Sequence, residues 1–191
     1  MYESAAIHYD QGVFAEFIGN FSRGSGMKRS AKLAAIFASA AAVIVMAPGV
    51  SYAEDPVEIS SGGKCLEIDG SSSRNGARAQ IWDCNGQSGS QWYMQWWSNG
   101  YYRLVNGASG KCLEVADSRT DNGAPVQQWD CAGNATQYWK AEYVSGRGTV
   151  FKNVNSGKVL EVENGSRSNG ARVQQWNWGN APGQAWAIVN S

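Results

Sequence analysis

The chain has 191 residues, with sixteen basic and sixteen acidic side chains and a formal net charge of zero. That balance leaves no electrostatic footprint for nucleic acid and argues against polyanions or anionic membranes as partners. Nine Trp, eight Tyr and 23 Gly point to flat aromatic surfaces among tight turns rather than to a Leu-rich helical core.

Residues 1–26 carry Glu3, Asp10 and Glu16 ahead of a second methionine, Met27. We read Met27 as the initiator and residues 1–26 as an over-called extension. Residues 27–53 then have the layout of a signal peptide. Lys28, Arg29 and Lys32 form a basic start, Leu33 to Ala47 an apolar run, and Ser51-Tyr52-Ala53 a cleavage site with small residues at −3 and −1. The apolar run is shorter than the ~20 residues that span a bilayer as a helix. The expected product is a secreted, extracellular chain of residues 54–191 with no membrane anchor after cleavage. It has twelve basic and thirteen acidic residues.

A 47-residue unit recurs three times in this mature chain, over about 56–102, 103–149 and 150–191. Cys65, Cys112 and Val159 differ by 112−65 = 47 and 159−112 = 47. Gln80, Gln127 and Gln174 keep the same step, as do Trp82, Trp129 and Trp176, and then Trp92, Trp139 and Trp186. Each copy is therefore one structural unit packed on equivalent neighbours. Within a unit, Cys65-Leu66-Glu67-Ile68 alternates apolar and polar residues, as does Cys112-Leu113-Glu114-Val115, which suits a half-buried strand. Asn75-Gly76, Asn122-Gly123 and Asn169-Gly170 follow, a pair that favours a tight reversal with positive φ at both positions. The next strand is Ala79 to Trp82, Val126 to Trp129 or Val173 to Trp176, and a glycine-containing loop leads to the last Trp. Ser98-Asn99-Gly100, between Trp96-Trp97 and Tyr101-Tyr102, reads as another hairpin turn.

The cysteines obey the repeat. Cys65 and Cys84 lie 19 apart, as do Cys112 and Cys131 (84−65 = 131−112 = 19), so each of the first two units is expected to carry its own disulfide. In the third, Val159 and Trp178 stand at those positions, and an apolar contact is expected in its place. No CxxC spacing occurs and no His follows His8, so no metal site is expected. Three blades are too few for a propeller, and no capping repeats suggest a solenoid. The expected fold class is all-β, closed with three-fold pseudo-symmetry, with Trp92, Trp139 and Trp186 gathered inside.

The pattern GKCLE, Asn-Gly, QxW, Cys and a final QxW-like Trp resembles the ricin-type lectin domain, also called carbohydrate-binding module family 13, over about residues 56–191. The resemblance implies a β-trefoil and a shallow sugar pocket on each unit. In it an acidic residue accepts hydrogen bonds from sugar hydroxyls and an aromatic stacks under the ring. The acids would be Glu67, Glu114 and Glu161, and the platforms Trp82, Trp129 and Trp176. Gln80, Gln127 and Gln174 would lie beside them, with Gln137 and Gln184 two residues before the last Trp. A flat indole reads the apolar face of a pyranose and a carboxylate reads its hydroxyls. Three positions depart from the family: Glu replaces its usual Asp, its galactose-site Asn is replaced by Gly89, Thr136 and Gly183, and Ser90 stands where units two and three have Gln137 and Gln184.

The reading is a secreted, monomeric, non-enzymatic lectin whose partner is an oligo- or polysaccharide, needing no cofactor. Two alternatives belong to other classes. A protein-binding trefoil such as a secreted protease inhibitor needs a long exposed loop, for which the even spacing leaves little room. A glycoside hydrolase would have to use pairs such as Glu67 with Asp69 or Glu161 with Glu163, at a set separation and with one raised pKa. A His-based triad is excluded from the mature chain, since the only His is His8.

Overall fold

The structure, a computed structural model, describes residues 55–190. The proposed extension 1–26 and signal segment 27–53 lie outside the described residues. Twelve strands follow one another: β1 (Val57–Ser61), β2 (Lys64–Ile68), β3 (Ala79–Trp82), β4 (Gln91–Trp96), β5 (Tyr101–Asn106), β6 (Cys112–Val115), β7 (Val126–Trp129), β8 (Trp139–Val144), β9 (Gly148–Asn153), β10 (Val159–Val162), β11 (Ala171–Trp176) and β12 (Ala187–Asn190). Short 3₁₀ turns are the only other regular elements among the described residues.

Every pairing is antiparallel, and two sets of contacts close the ring. In the first, β1 pairs with β4, β4 with β5, β5 with β8 and β8 with β9. A bridge from Thr149 to Trp186 and the β12–β1 ladder, with Val57 opposite Asn190, bring the end of the chain back to its start. In the second, the hairpins β2–β3, β6–β7 and β10–β11 meet through Arg78 with Gln127, Pro125 with Gln174 and Arg172 with Gln80. These three contacts are one contact repeated at 47-residue steps. These closing contacts leave few unpaired strand edges among the described residues, which suits a β-trefoil of short strands.

The core is what the spacing anticipates. Trp92, Trp139 and Trp186 are fully buried, packed with Leu66, Leu113 and Leu160 from β2, β6 and β10. Burial of an indole N–H needs a partner, and each donates to the carbonyl of that Leu at 2.9, 3.0 and 3.1 Å. Hydrogen bond and apolar contact thus tie the last Trp of a unit to its first hairpin.

Two local expectations are corrected. First, β6 and β10 are buried at all four positions, and β2 at Cys65 to Ile68. They are not half-buried, because glutamine side chains cover the glutamates on their outer face. Second, in Asn75-Gly76 and its repeats only the glycine has positive φ, 79° at Gly76. The turn is not the two-residue hairpin reversal expected; the asparagine side chain reaches out of its own unit instead. The Ser98-Asn99-Gly100 turn does join two paired strands, with Trp96 opposite Tyr102.

Candidate functional site

Each unit builds one outward face from two strands. Strand alternation places residues i and i+2 on one side, and the register sets Cys65 opposite Trp82 and Glu67 opposite Gln80. Cys112 opposite Trp129 and Glu114 opposite Gln127 repeat this arrangement, as do Val159 opposite Trp176 and Glu161 opposite Gln174. Between the outward Gln and Trp, Ile81, Gln128 and Gln175 point inward and are fully buried. Trp82, Trp129 and Trp176 are 38%, 42% and 40% exposed, so the two tryptophan sets separate as expected.

The glutamates lie beneath. Glu67, Glu114 and Glu161 are buried, and one carboxylate oxygen of each accepts from the amide of Gln80, Gln127 or Gln174, at 2.8, 3.0 and 3.1 Å. The other oxygen accepts from a second amide, that of Gln137 at 3.0 Å for Glu114 and of Gln184 at 2.5 Å for Glu161. Among the described residues these acids are held by glutamine amides rather than by backbone N–H groups. Gln137 and Gln184 are themselves buried and also donate to the carbonyls of Asp130 and Asn177, both at 2.9 Å. Their side-chain oxygens accept from the N–H of Ala132 and Gly179. They brace the glutamate and the loop after the platform.

In the first unit Ser90 cannot reach. Gln87, three residues earlier, donates to Glu67 in its stead, a residue that the sequence reading missed. The carboxylate keeps two amide donors, but the loop bonds are not replaced, for the Ser90 hydroxyl only closes its own turn by donating to the carbonyl of Gln87.

The neighbouring unit completes each site. Gly76 faces the Trp129 ring, Gly123 the Trp176 ring and Gly170 the Trp82 ring. Their N–H groups donate to the carbonyls of Gln128, Gln175 and Ile81, each at 2.9 Å. Asn75 exchanges two hydrogen bonds with Asp130, and Asn169 donates to Asp83. Lys64 and then Asn169 hold the Asp83 carboxyl below its ordinary range, and Lys111 and then Asn75 do the same for Asp130. In the third unit the neutral Asn177 takes this place, receiving Lys158 at 2.6 Å.

Cavities open beside two platforms. One of about 230 Å³ is lined by Glu114, Gln127 and Trp129 together with Asp117, Ser118 and Asn134. Another of about 390 Å³ is lined by Glu161, Gln174, Trp176 and Gln184 together with Asn164 and Trp178. Asp117 and Asn164 share the offset of Gly70, and all three have φ near +55 to +60°. Asp and Asn tolerate that conformation, which was the available sequence signal. At the positions of the other units' disulfides, Trp178 is 42% exposed and lines the third cavity, while Val159 is buried.

The Asn side chains near the family's galactose position divide. Asn134 lines its cavity, whereas Asn85 accepts from the N–H of Gln87 and Asn180 accepts from Arg147. A side chain at Gly89 would collide with Ser71, its Cβ falling 2.4 Å from the hydroxyl, so the family's Asn does not fit there. Both expected disulfides are present, Cys65–Cys84 and Cys112–Cys131. Glu58 approaches the first, but its sulfurs are bonded to each other and offer no thiolate to a metal.

The ricin-type β-trefoil lectin domain-like family model matches residues 57–129, 89–176 and 135–191, one overlapping match after another through the repeats. The chain belongs to this family. A designed three-fold symmetric protein, ThreeFoil, is 31% identical over 71% of this chain and 99% of its own, with a TM-score of 0.70. An exo-β-1,3-galactanase from Clostridium thermocellum is 27% identical over 72% of this chain but only 30% of its own, with a TM-score of 0.69. The C-half of the earthworm R-type lectin, solved with GalNAc, shares the fold at 20% identity and a TM-score of 0.55, over 72% of this chain and 99% of its own. No curated protein matches the chain. Family and lectin neighbours together support carbohydrate binding.

Proposed function

We propose that this ricin-type domain is a secreted lectin that binds a polysaccharide or a dense glycan through its platform sites and catalyses nothing. The observation that carries the reading is the recurrence of a partly exposed indole above a buried glutamate in each unit. Each glutamate is fixed by two amides and each indole is bordered by the preceding unit's turn, around the ring. A large aromatic held at the surface needs a reason, and a flat apolar ring face is what it is shaped to meet. The sugar would meet Trp82, Trp129 or Trp176 and the adjoining Gln80, Gln127 or Gln174. Glu67, Glu114 and Glu161 then hold those glutamines in place and offer their remaining lone pairs, with Gln137 and Gln184 as braces. Such preorganisation is what a shallow polar site requires.

Carboxylates fixed by neutral amides favour binding over proton transfer, and the longest connections between strands, such as Asp69 to Arg78, are too short for a protruding inhibitory loop. Two disulfides fit an oxidising compartment, and no helix among the described residues is long and apolar enough to cross a membrane.

The test is a glycan array followed by paired titrations of monosaccharide and polymer with wild type and the Trp82→Ala, Trp129→Ala and Trp176→Ala variants. A β-1,3-galactan is a sensible first polymer because the galactanase is a relative. Three linked weak sites raise avidity by ~10²–10⁴ if one chain engages them together. Each variant should therefore lose polymer retention far more than monosaccharide affinity at the sites left intact. Loss of all binding with one variant and none with the others would mean a single working site.

A further inference from the structure

Outside the three platform sites, a cavity of about 320 Å³ lies between the β1–β2 turn, the β8–β9 turn and the loop before Trp186. Two guanidinium groups line it, those of Arg147 and Arg167, and no carboxylate does. Neither arginine is in an ion pair among the described residues. Arg147 is held from behind, donating through Nε to the Asn180 side chain at 2.6 Å and through Nη2 to the Asn180 carbonyl. Its Nη1 is left for a ligand. The Arg167 stem lies across Gly62, where an added Cβ would fall 3.1 Å from its Cγ, so the bare turn gives that arginine its place.

The repeat shows that the two-arginine lining of this cleft, where all three units meet, recurs nowhere else. One step back, Gly100 and Thr120 stand where Arg147 and Arg167 stand (147−100 = 167−120 = 47). Tyr138 stands where Ala185 does (185−138 = 47), and its ring packs against Trp97 at 5.5 Å. Asn155 closes the same place by donating to the Ser118 carbonyl at 3.3 Å. This junction has thus exchanged an aromatic filling for an open, doubly cationic cleft, which the balanced charge of the whole chain conceals. Gly165, Ala181 and Pro182 line both this cleft and the Trp176 cavity, so the two are separated by one thin wall.

We infer that the Arg147–Arg167 cleft is an oxyanion subsite for an acidic glycan, receiving the carboxylate or sulfate of the sugar next to the one stacked on Trp176. The inference rests on the platform reading of Trp176 for its second half only. Planar guanidinium groups suit both oxyanions, and a pair of them with no competing acid favours an anionic ligand over a neutral one.

The experiment has two arms. In the first, backbone amide signals are followed by NMR while sodium galacturonate, methyl galactoside or sodium sulfate is added to the full mature chain. Galacturonate should move Gly62, Ser166 and Arg167, and methyl galactoside should not; a response to sulfate as well would assign the site to either oxyanion, and to galacturonate alone to carboxylates. In the second arm, affinity electrophoresis compares polygalacturonate with its carboxyl-reduced polymer. Wild type should bind the acidic polymer about tenfold more tightly, the scale of one charge-assisted hydrogen bond, and added salt should erode that gain. Arg167→Gln and Ala185→Tyr should each remove the gain and leave the neutral polymer unaffected, whereas Lys140→Gln, a cation elsewhere, should keep it. The inference is overturned if galacturonate leaves Gly62 and Arg167 unmoved, or if Lys140→Gln costs as much as Arg167→Gln. Failure of the platform reading looks different: the Gly62 and Arg167 shifts persist while Trp176→Ala changes retention on neither polymer.

Discussion

Two rings of tryptophan share one residue type and one 47-residue step, yet they meet opposite environments. Trp92, Trp139 and Trp186 are buried and spend their indole N–H on a core carbonyl, while Trp82, Trp129 and Trp176 keep about two-fifths of their surface in solvent. Position on the strand decides this. The inner set sits between the last turn and the barrel strands, and the outer set ends a hairpin one residue beyond an inward-facing side chain. Residue type alone therefore does not distinguish core from site; the face on which the strand presents it does.

The largest expected effect sets the rings against each other. Trp139→Ala should lower stability by about 3–5 kcal/mol, as deletion of a buried large aromatic does, and chemical denaturation reads it directly. Trp129→Ala should denature close to wild type while losing glycan retention. Equal stability losses in the two variants would break the comparison.

Replacing Cys112 and Cys131 by Ala should cost ~3 kcal/mol, the entropy released when a loop of about 20 residues is freed. The bond lies beside the outer ring, with Cys112 opposite Trp129, so glycan binding at that platform should weaken along with the melting temperature. The third unit folds its platform without such a bond. Intact binding in the Ala variant would show that the disulfide serves stability only.

A smaller difference separates the first unit from the second. Gln137→Ala leaves Glu114 short of a donor and also frees the Ala132 N–H and the Asp130 carbonyl, so it should cost about 1–3 kcal/mol. Gln87→Ala removes only the bond to Glu67, from a half-buried position that water can re-enter, and should cost less, about 1 kcal/mol. Thermal melts of the two variants would sharpen the comparison, and a larger loss for Gln87→Ala would reverse it.

Acid provides the gentlest probe. Asp83 and Asp130 have folded-state pKa values below the ordinary 3.8, so each favours the folded state while ionised. That contribution is complete above the ordinary value and is lost as pH falls through the lowered one. Below pH 3.8 the bonds of Asn169 to Asp83 and of Asn75 to Asp130 should therefore weaken before that of Asn122 to the Asn177 N–H, which involves no carboxyl. Amide exchange at Gly170 and Gly76, compared with Gly123, reads the order.

Much of this was legible in the sequence because a fixed period converts local chemistry into three-dimensional equivalence. The two disulfides and the buried Trp set follow from residues recurring at one step, and the three Glu–Gln–Trp groupings follow from the resemblance to the ricin-type family. What stayed hidden depends on contacts that the period does not encode. Gln87 replaces an absent partner from three positions away, a shift invisible when positions are compared like with like. Asp117 and Asn164 reach their cavities only because the backbone turns left-handed there. The burial of Glu67, Glu114 and Glu161 under glutamines could not be told from alternation, which marks them as outward and says nothing of what lies on top. Asn75-Gly76 was read as a local reversal although its partner, Trp129, is in the next unit.

The ladder that sets Val57 opposite Asn190 makes the order of the units around the ring a matter of where the chain is cut. A short Gly-Ser linker joining those ends, with new termini opened at the exposed Ser145-Gly146 turn, would give a circularly permuted protein that preserves every inter-strand pairing described above. Such a permutant should keep all three platforms. It would also move the points of fusion from the ends of β1 and β12 to the β8–β9 turn, beside the Arg147–Arg167 cleft.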